Sequence, residues 1–327
     1  MLSPDVLHGI RAPLAITHIM ARAGRGTRAG SADDDRKLGL IVEGGAMRGV
    51  FSAGACVGLE RLGLTDVFDE VYGASSGALN AAYFLAGQAA YGATIYYEDI
   101  NNSQFIKMGR LSKILDVDFL FEEILTRRKT LDVARVCASP SRFFVSLADA
   151  TTGEGFLVRA EKDGPPLMDV LKASAAHPLL YNRNVRLMER TCFDGAFANP
   201  LPIQDAIDSG CTDLLVILTC PASYRESAPG FFLRQLFIWK CARGNARLVE
   251  AGLQVHRVDN ISRDLAFARQ LPPAGVNIAT ICPPEDELAV SRTTKSARAL
   301  RAGTLLGART ALLAFGADPN QLVEVLR

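Results

Sequence analysis

Three short stretches carry residues whose types and spacing could do chemistry. The first is Glu43-Gly44-Gly45-Ala46-Met47-Arg48-Gly49, directly after the apolar run Leu38–Val42. A glycine-rich turn from strand to helix offers several backbone N–H groups at a helix N-terminus. Such a nest takes a phosphate or an oxyanion formed during catalysis. A tight turn that needs glycine for its backbone alone is the competing explanation. A dinucleotide-binding fingerprint fits poorly: the glycine spacing is wrong, position 46 is Ala, and only Asp66 and Asp69 stand loosely where an acidic residue should follow.

The second stretch is Gly73-Ala74-Ser75-Ser76-Gly77, a G-x-S-x-G between a predicted strand and a predicted helix. That context gives the pattern its meaning, because the glycines relieve crowding in a sharp turn and leave the central Ser75 hydroxyl at its tip. The helix dipole behind it favours negative charge there. Ser76 is off-centre and is expected to cap the helix.

A serine nucleophile needs a base. Of four histidines, His8 and His18 lie near the N-terminus, His177 precedes Pro178, and His256 falls in a stretch that reads as helical. Ser75, Asp194 and His256 stand in the chain order of an α/β-hydrolase triad, but His256 is in the wrong kind of segment. The other route is a carboxylate acting directly. Asp194 closes a strand-like run in Cys192-Phe193-Asp194-Gly195-Ala196. An exposed Asp, with a pKa of about 3.9, is a poor base for a hydroxyl. Burial would raise its basicity. Taken alone, Asp-Gly is usually a turn.

These residues need elements to position them. Apolar runs predict strands at Leu38–Val42, Val67–Tyr72, Phe143–Ala148, Phe156–Arg159, Val185–Leu187, Leu214–Thr219 and Val276–Ile281. Helices are predicted over Gly49–Leu62, Ser76–Leu85, Thr94–Ile100, Leu167–Ala175, Ile203–Ser209, Phe231–Arg269 with a break, and from about Thr293 onward. Ala53, Gly54, Ala55 and Gly58 make the first of these narrow, which suits close packing on a sheet. The alternation indicates an α/β domain with a largely parallel sheet. Residues 1–36 read as a flexible extension with at most one short helix. Residues 37–327 read as one catalytic domain that includes the C-terminal helices. Ala12–Met20 is apolar and Ala21-Arg22-Ala23 follows it, but Asp5, Arg11 and His18 spoil a secretory signal.

Taken together and in order, Gly44–Gly49, Gly73–Gly77 and Asp194-Gly195-Ala196 resemble the motifs of the patatin-like phospholipase family. Ala173-Ser174-Ala175-Ala176-His177-Pro178 is similar to its A-S-x-A-x-P segment. Asn199-Pro200-Leu201-Pro202, with Ala206 and Gly210, is similar to the stretch after its D-G-[AG]. The resemblance spans roughly Lys37 to Pro284. It implies a three-layer α/β/α sandwich with a mostly parallel central sheet. It also implies a serine lipid acyl hydrolase of phospholipase A type, without metal or cofactor, acting on a phospholipid or other acyl-ester lipid. Ser75 becomes the nucleophile and Asp194 the proton acceptor. Gly44, Gly45 and Ala46 supply oxyanion N–H groups within a loop that continues through Met47, Arg48 and Gly49, with Arg48 ordering it. Gly73, Gly77, Gly195 and Ala196 complete the motifs. Two positions depart from the family pattern D-G-G-G-x-[RK]-G: Glu43 replaces Asp, and Ala46 replaces the third Gly. Ala can still donate its N–H unless the turn needs a positive φ there. The alternatives are a Ser–His–Asp hydrolase using His256 and a non-catalytic nucleotide- or phosphate-binding protein.

Composition limits the setting. Lys plus Arg number 36 and Asp plus Glu 35, a net +1 that gives no support to a nucleic-acid partner. Mean hydropathy is slightly apolar at +0.14, yet no stretch reaches the roughly 18 residues a spanning helix requires. The seven cysteines, Cys56, Cys137, Cys192, Cys211, Cys220, Cys241 and Cys282, form no CxxC pair. They point to reduced thiols in the cytoplasm, with Cys56, Cys220 and Cys282 in the core. Contact with the inner membrane surface stays open through Arg127-Arg128-Lys129, or through Phe231–Cys241 as a lid with Phe232 and Trp239 at the lipid boundary, against a plain core helix.

Overall fold

The computed structural model describes residues 13–30, 34–110, 113–181, 183–221, 223–224, 274–287 and 290–322. The expected helix at 231–269, with the lid question at Phe231–Cys241 and the candidate base His256, lies outside the described residues.

Strand β1 (Leu38–Val42) is buried along its whole length. That is what a continuous apolar run means when both faces of a sheet are covered. Its neighbours are β2 (Glu70–Ala74) on one side and β7 (Asp213–Ile217) on the other, both parallel to it. Strand β3 (Arg142–Asp149) continues the parallel set beyond β2, and β8 (Asn277–Ile281) extends it beyond β7. The hairpin partner β4 (Gly155–Ala160) runs antiparallel to β3, as does β6 (Arg190–Asp194), which in turn pairs with β5 (Val185–Leu187). The order is β5-β6-β3-β2-β1-β7-β8 with β4 on β3. Side chains alternate between two cores: Leu40, Val42 and Val71 face one, while Ile41, Tyr72 and Val216 face the other. The fold is the expected α/β/α arrangement.

Over the first core lie α2 (Val50–Arg61), α3 (Ser76–Leu85), α4 (Ala89–Glu98) and the C-terminal α9 (Ala297–Ala314). Over the second lies α8 (Ile203–Asp208). The remaining described helices are α1 (Pro13–Gly24), α5 (Val117–Phe119), α6 (Val133–Cys137) and α7 (Leu167–Ser174).

Several elements differ from the sequence expectation. Strand β2 begins at Glu70 rather than Val67, because its register is set against Gly39 of β1. Val67 and Phe68 are buried in the loop before it. The two glycines of α2 face another helix rather than the sheet. A Cβ on Gly54 would stand 2.0 Å from the Thr304 carbonyl oxygen, and one on Gly58 would stand 2.8 Å from that of Ala308, so they admit α9. Helix α5 runs into a π-helix at Leu120–Arg128, a segment with no assigned element in the sequence reading. Of the cysteines expected in the core, Cys56 and Cys220 are buried and Cys282 is half-buried.

Within residues 1–36, expected to be a flexible extension, α1 is docked. Ala15 and Ile19 are fully buried, and Arg22 is only 1% exposed. The Arg22 guanidinium donates to Asp34 at 2.6 Å and to Asp69 at 2.6 Å, tying α1 to the loop that enters β2. His18 meets Asp213 at 2.7 Å at the start of β7. Removing a buried cation strands its partners, so Arg22→Ala should lower unfolding free energy by about 3 kcal/mol. Urea denaturation measures this, and an unchanged midpoint would mean α1 is not anchored as described.

Candidate active site

The site is made by two strands that share one edge of β3. Strand β4 covers one edge from Phe143 to Ala148. Along the opposite edge, β2 pairs as far as Ala74 with Ser146. From Leu147 onward β6 takes over that edge from the other direction, with Asp194 opposite Leu147. The end of β2 and the end of β6 therefore meet head-on. The next residue of one is Ser75 and the last residue of the other is Asp194. Both chains must turn away. Ser75 does so with φ 55° and ψ −131°, a strained backbone for a residue with a side chain. The chain after Asp194 turns at Gly195, where a Cβ would lie 2.1 Å from the Ser146 carbonyl oxygen. The Asp-Gly pair is thus a turn required by the collision.

Buried hydroxyls hold this junction. Ser174 accepts the Ser75 N–H at 2.9 Å and donates to the Ser146 carbonyl at 2.8 Å, bridging the serine turn to β3. The Asp194 carboxylate accepts the Ala196 N–H at 2.9 Å. It is only 2% exposed. Burial pushes its pKa up to about 6, against the Ala196 N–H, hydrogen bonding from the Ser75 side chain and the positive charge of Arg292. An ordinary Asp has thereby become a base of useful strength near neutral pH.

The glycine loop lies against the serine turn. A Cβ on Gly44 would be 2.9 Å from that of Ser75. Ser76 does not cap α3 with its side chain; its Oγ accepts the Gly45 N–H at 2.9 Å. That N–H, expected in the oxyanion set, is therefore engaged. Met47 N–H goes to the Arg292 carbonyl at 3.3 Å and Arg48 N–H to the Gly45 carbonyl at 3.1 Å. The N–H groups of Gly44 and Ala46 have no hydrogen-bond partner among the described residues. Ala46 does adopt a positive φ, 51°, so the position where the family carries glycine keeps a glycine-like backbone. Asn80 donates to the Gly49 carbonyl at 2.8 Å, and Ser52 donates to the carbonyls of Glu43 and Gly49. Glu43 accepts from the Thr219 N–H and hydroxyl beyond β7, and burial pushes its carboxyl pKa up. Arg48 is 8% exposed and lies over the Tyr224 ring at 5.6 Å.

A cleft of about 1270 Å³, part of it open to solvent, runs from this loop past Ser75 and Asp194. Ser76, Leu79, Asn80 and Tyr83 line it from one face of α3, and Leu120 and Leu125 line it from the π-helix. Its inner walls are apolar. His177 also lines it, with the ring nitrogen Nδ1 accepting N–H groups of Leu179 and Leu180. His18 is at the far end of the sheet. No group of three or more His, Cys, Asp or Glu able to hold a metal occurs among the described residues.

Ser52, Asn80, Ser174, Thr219 and Arg292 received no role of their own from the sequence. Asn80 carried a usable signal, a polar residue inside the apolar helix Ser76–Leu85, since buried amides are held by hydrogen bonds. Arg292 carried none.

Comparison with known proteins gives the family. The family model for patatin-like phospholipase matches residues 40–207. The uncharacterized protein YjjU of Escherichia coli (strain K12) is 27% identical over 256 residues, covering 76% of this chain and 69% of that protein. The crystal structure of VipD from Legionella pneumophila superposes over 85% of this chain and 67% of its own, with a TM-score of 0.47 and 12% identity.

Because the raised pKa of Asp194 marks a charge that the folded state disfavours, stability is lost as pH rises through about 6. Asp194→Asn keeps an acceptor for Ala196 without the charge. It should stabilise the fold at pH 8 by on the order of 3 kcal/mol, as a shift of this size implies. The gain should vanish below about pH 4, where the aspartate is protonated in both states. Thermal melting of both proteins across pH reads this directly.

Proposed function

The chain belongs to the patatin-like phospholipase family, and from that premise we propose that it is a serine lipid acyl hydrolase working through Ser75 and Asp194. The observation that carries the reading is the head-on junction on β3, where a strained serine faces a carboxyl that burial has made basic.

In this mechanism Asp194 takes the Ser75 proton as Oγ attacks the ester carbonyl. The developing oxyanion is met by the N–H groups of Gly44 and Ala46, each worth roughly 2.7–4 kcal/mol in comparable sites. Asp194 returns its proton to the departing alcohol, which leaves as glycerol or lysolipid. An acyl ester remains on Ser75. Water that gives its proton to Asp194 then attacks the acyl carbonyl, and Asp194 passes that proton to the departing Ser75 Oγ as the fatty acid is released, which restores both residues. The apolar wall formed by α3 and the π-helix suits an acyl chain. Burying that chain contributes on the order of 0.8 kcal/mol per methylene. No described helix is long and apolar enough to cross a membrane.

The pH dependence has a definite sign. Asp194 must be ionised to accept the proton, so kcat/KM for a p-nitrophenyl acyl ester should rise with pH through about 6 and then level. Ser75→Ala should abolish turnover while the protein stays folded, and Asp194→Asn should lower it by about a thousandfold or more. Retained turnover in folded Ser75→Ala overturns the reading.

A further inference from the structure

The glycine loop is held at both ends by one set of buried side chains. Near its start, Ser76 Oγ accepts the Gly45 N–H at 2.9 Å. At its end, the Asn80 amide donates to the Gly49 carbonyl at 2.8 Å. The residue that joins these two contacts is Tyr96 of α4, which belongs to none of the three motifs. Its phenol donates to Asn80 Oδ1 at 3.0 Å. On its other side it meets Ser76. A Cβ on Gly49 would stand 2.5 Å from Ser76 Oγ and 2.7 Å from the Tyr96 oxygen, so both hydroxyls occupy the space that glycine leaves. Burial pushes the Tyr96 pKa up, and hydrogen bonding with Asn80 and Ser76 acts against that rise. Ser76, Asn80 and Tyr96 are all buried, so they depend on one another rather than on water.

The protons run in one direction. The Gly45 N–H is taken by Ser76 Oγ, which leaves the single Ser76 proton for the phenol oxygen. The phenol proton goes to Asn80 Oδ1, and the Asn80 amide protons go to the Gly49 carbonyl and to Ser52 Oγ. Between the two ends lies Ala46, whose positive φ the loop must maintain. We propose that Tyr96 is a positioning residue for the oxyanion loop. Its hydroxyl ties Ser76 to Asn80, and through them it keeps the N–H groups of Gly44 and Ala46 aimed at the reacting carbonyl oxygen. The proposal rests on the acyl-hydrolase function and adds to it a residue that touches no substrate. The aromatic ring fills the core beside α3, as any large apolar side chain could. The hydroxyl is what the loop needs, because oxyanion donors act through fixed geometry and a misplacement of about 1 Å costs up to about a hundredfold.

The test compares the full-length wild type, Tyr96→Phe, Ser76→Ala and the double variant on a p-nitrophenyl acyl ester. Each is checked by thermal melting, and reactive sites are counted by fluorophosphonate labelling taken to completion. In Tyr96→Phe, kcat per reactive site should fall about tenfold while KM stays within about twofold. The pH midpoint near 6 should not move, because Asp194 is untouched. Ser76→Ala should lose about as much, and the double variant no more than Ser76→Ala, since both residues act through one chain of contacts. An unchanged kcat per site in Tyr96→Phe, with or without a lower melting temperature, overturns the assignment and leaves Tyr96 a packing residue. Losses that multiply in the double variant, or a shifted pH midpoint, overturn it as well. In each of these cases hydrolysis by the wild type stands. A wild type that neither labels nor turns over the ester removes the acyl-hydrolase function, and this inference with it.

Discussion

Everything at the cleft follows from two strands competing for one edge of β3. Strand β2 holds that edge through Ser146, and β6 arrives along it from the opposite direction. Neither chain can continue, and the two residues at the collision are a serine and an aspartate. No long loop has to find its partner. Their relative position is set by backbone hydrogen bonds to adjacent residues of one buried strand, Ser146 and Leu147. Ser174 adds a bridge between the serine turn and β3, so the junction resists opening from either side.

The same junction stores unfavourable energy. Ser75 and Ala46 both hold positive φ, and Asp194 and Glu43 are carboxyls taken out of water. Residues in such conformations cost about 1–3 kcal/mol each and persist only when their surroundings over-determine them. Here the surroundings are Ser52, Asn80, Thr219 and the close packing of α2 with α9. The scaffold therefore contributes to the site by holding charge and strain that an isolated peptide would relax.

Much of this was legible in the chain, and the rest was hidden for physical reasons. The path from β1 through α3 could be read because apolar runs end in glycine turns, and local sequence decides both. Asp194 stood out beside Gly195, but its meeting with Ser75 depends on a long-range register that no local pattern encodes. Strand β6 is only five residues long and its first two are exposed, so it gave a weak signal. The docking of α1 rests on Arg22 finding Asp34 and Asp69, charges that look like ordinary surface residues in the sequence. The glycines of α2 were legible as a close contact, but the partner was α9, more than two hundred residues away, rather than the sheet. Ser76 read as a helix cap because the nearest use for a serine hydroxyl is local, whereas its partner is the Gly45 N–H across the turn.

The central claim is that Ser75 is a nucleophile because Asp194 makes it one. Labelling with a fluorophosphonate, followed by mapping of the adduct by mass spectrometry, tests it most directly, since the reagent reports activation of a hydroxyl without requiring the right lipid. The wild type should give a single adduct on Ser75, formed faster as pH rises through about 6, and Asp194→Asn little or none. Labelling of Ser75 at the same rate in Asp194→Asn, or an adduct on another residue, would contradict that claim.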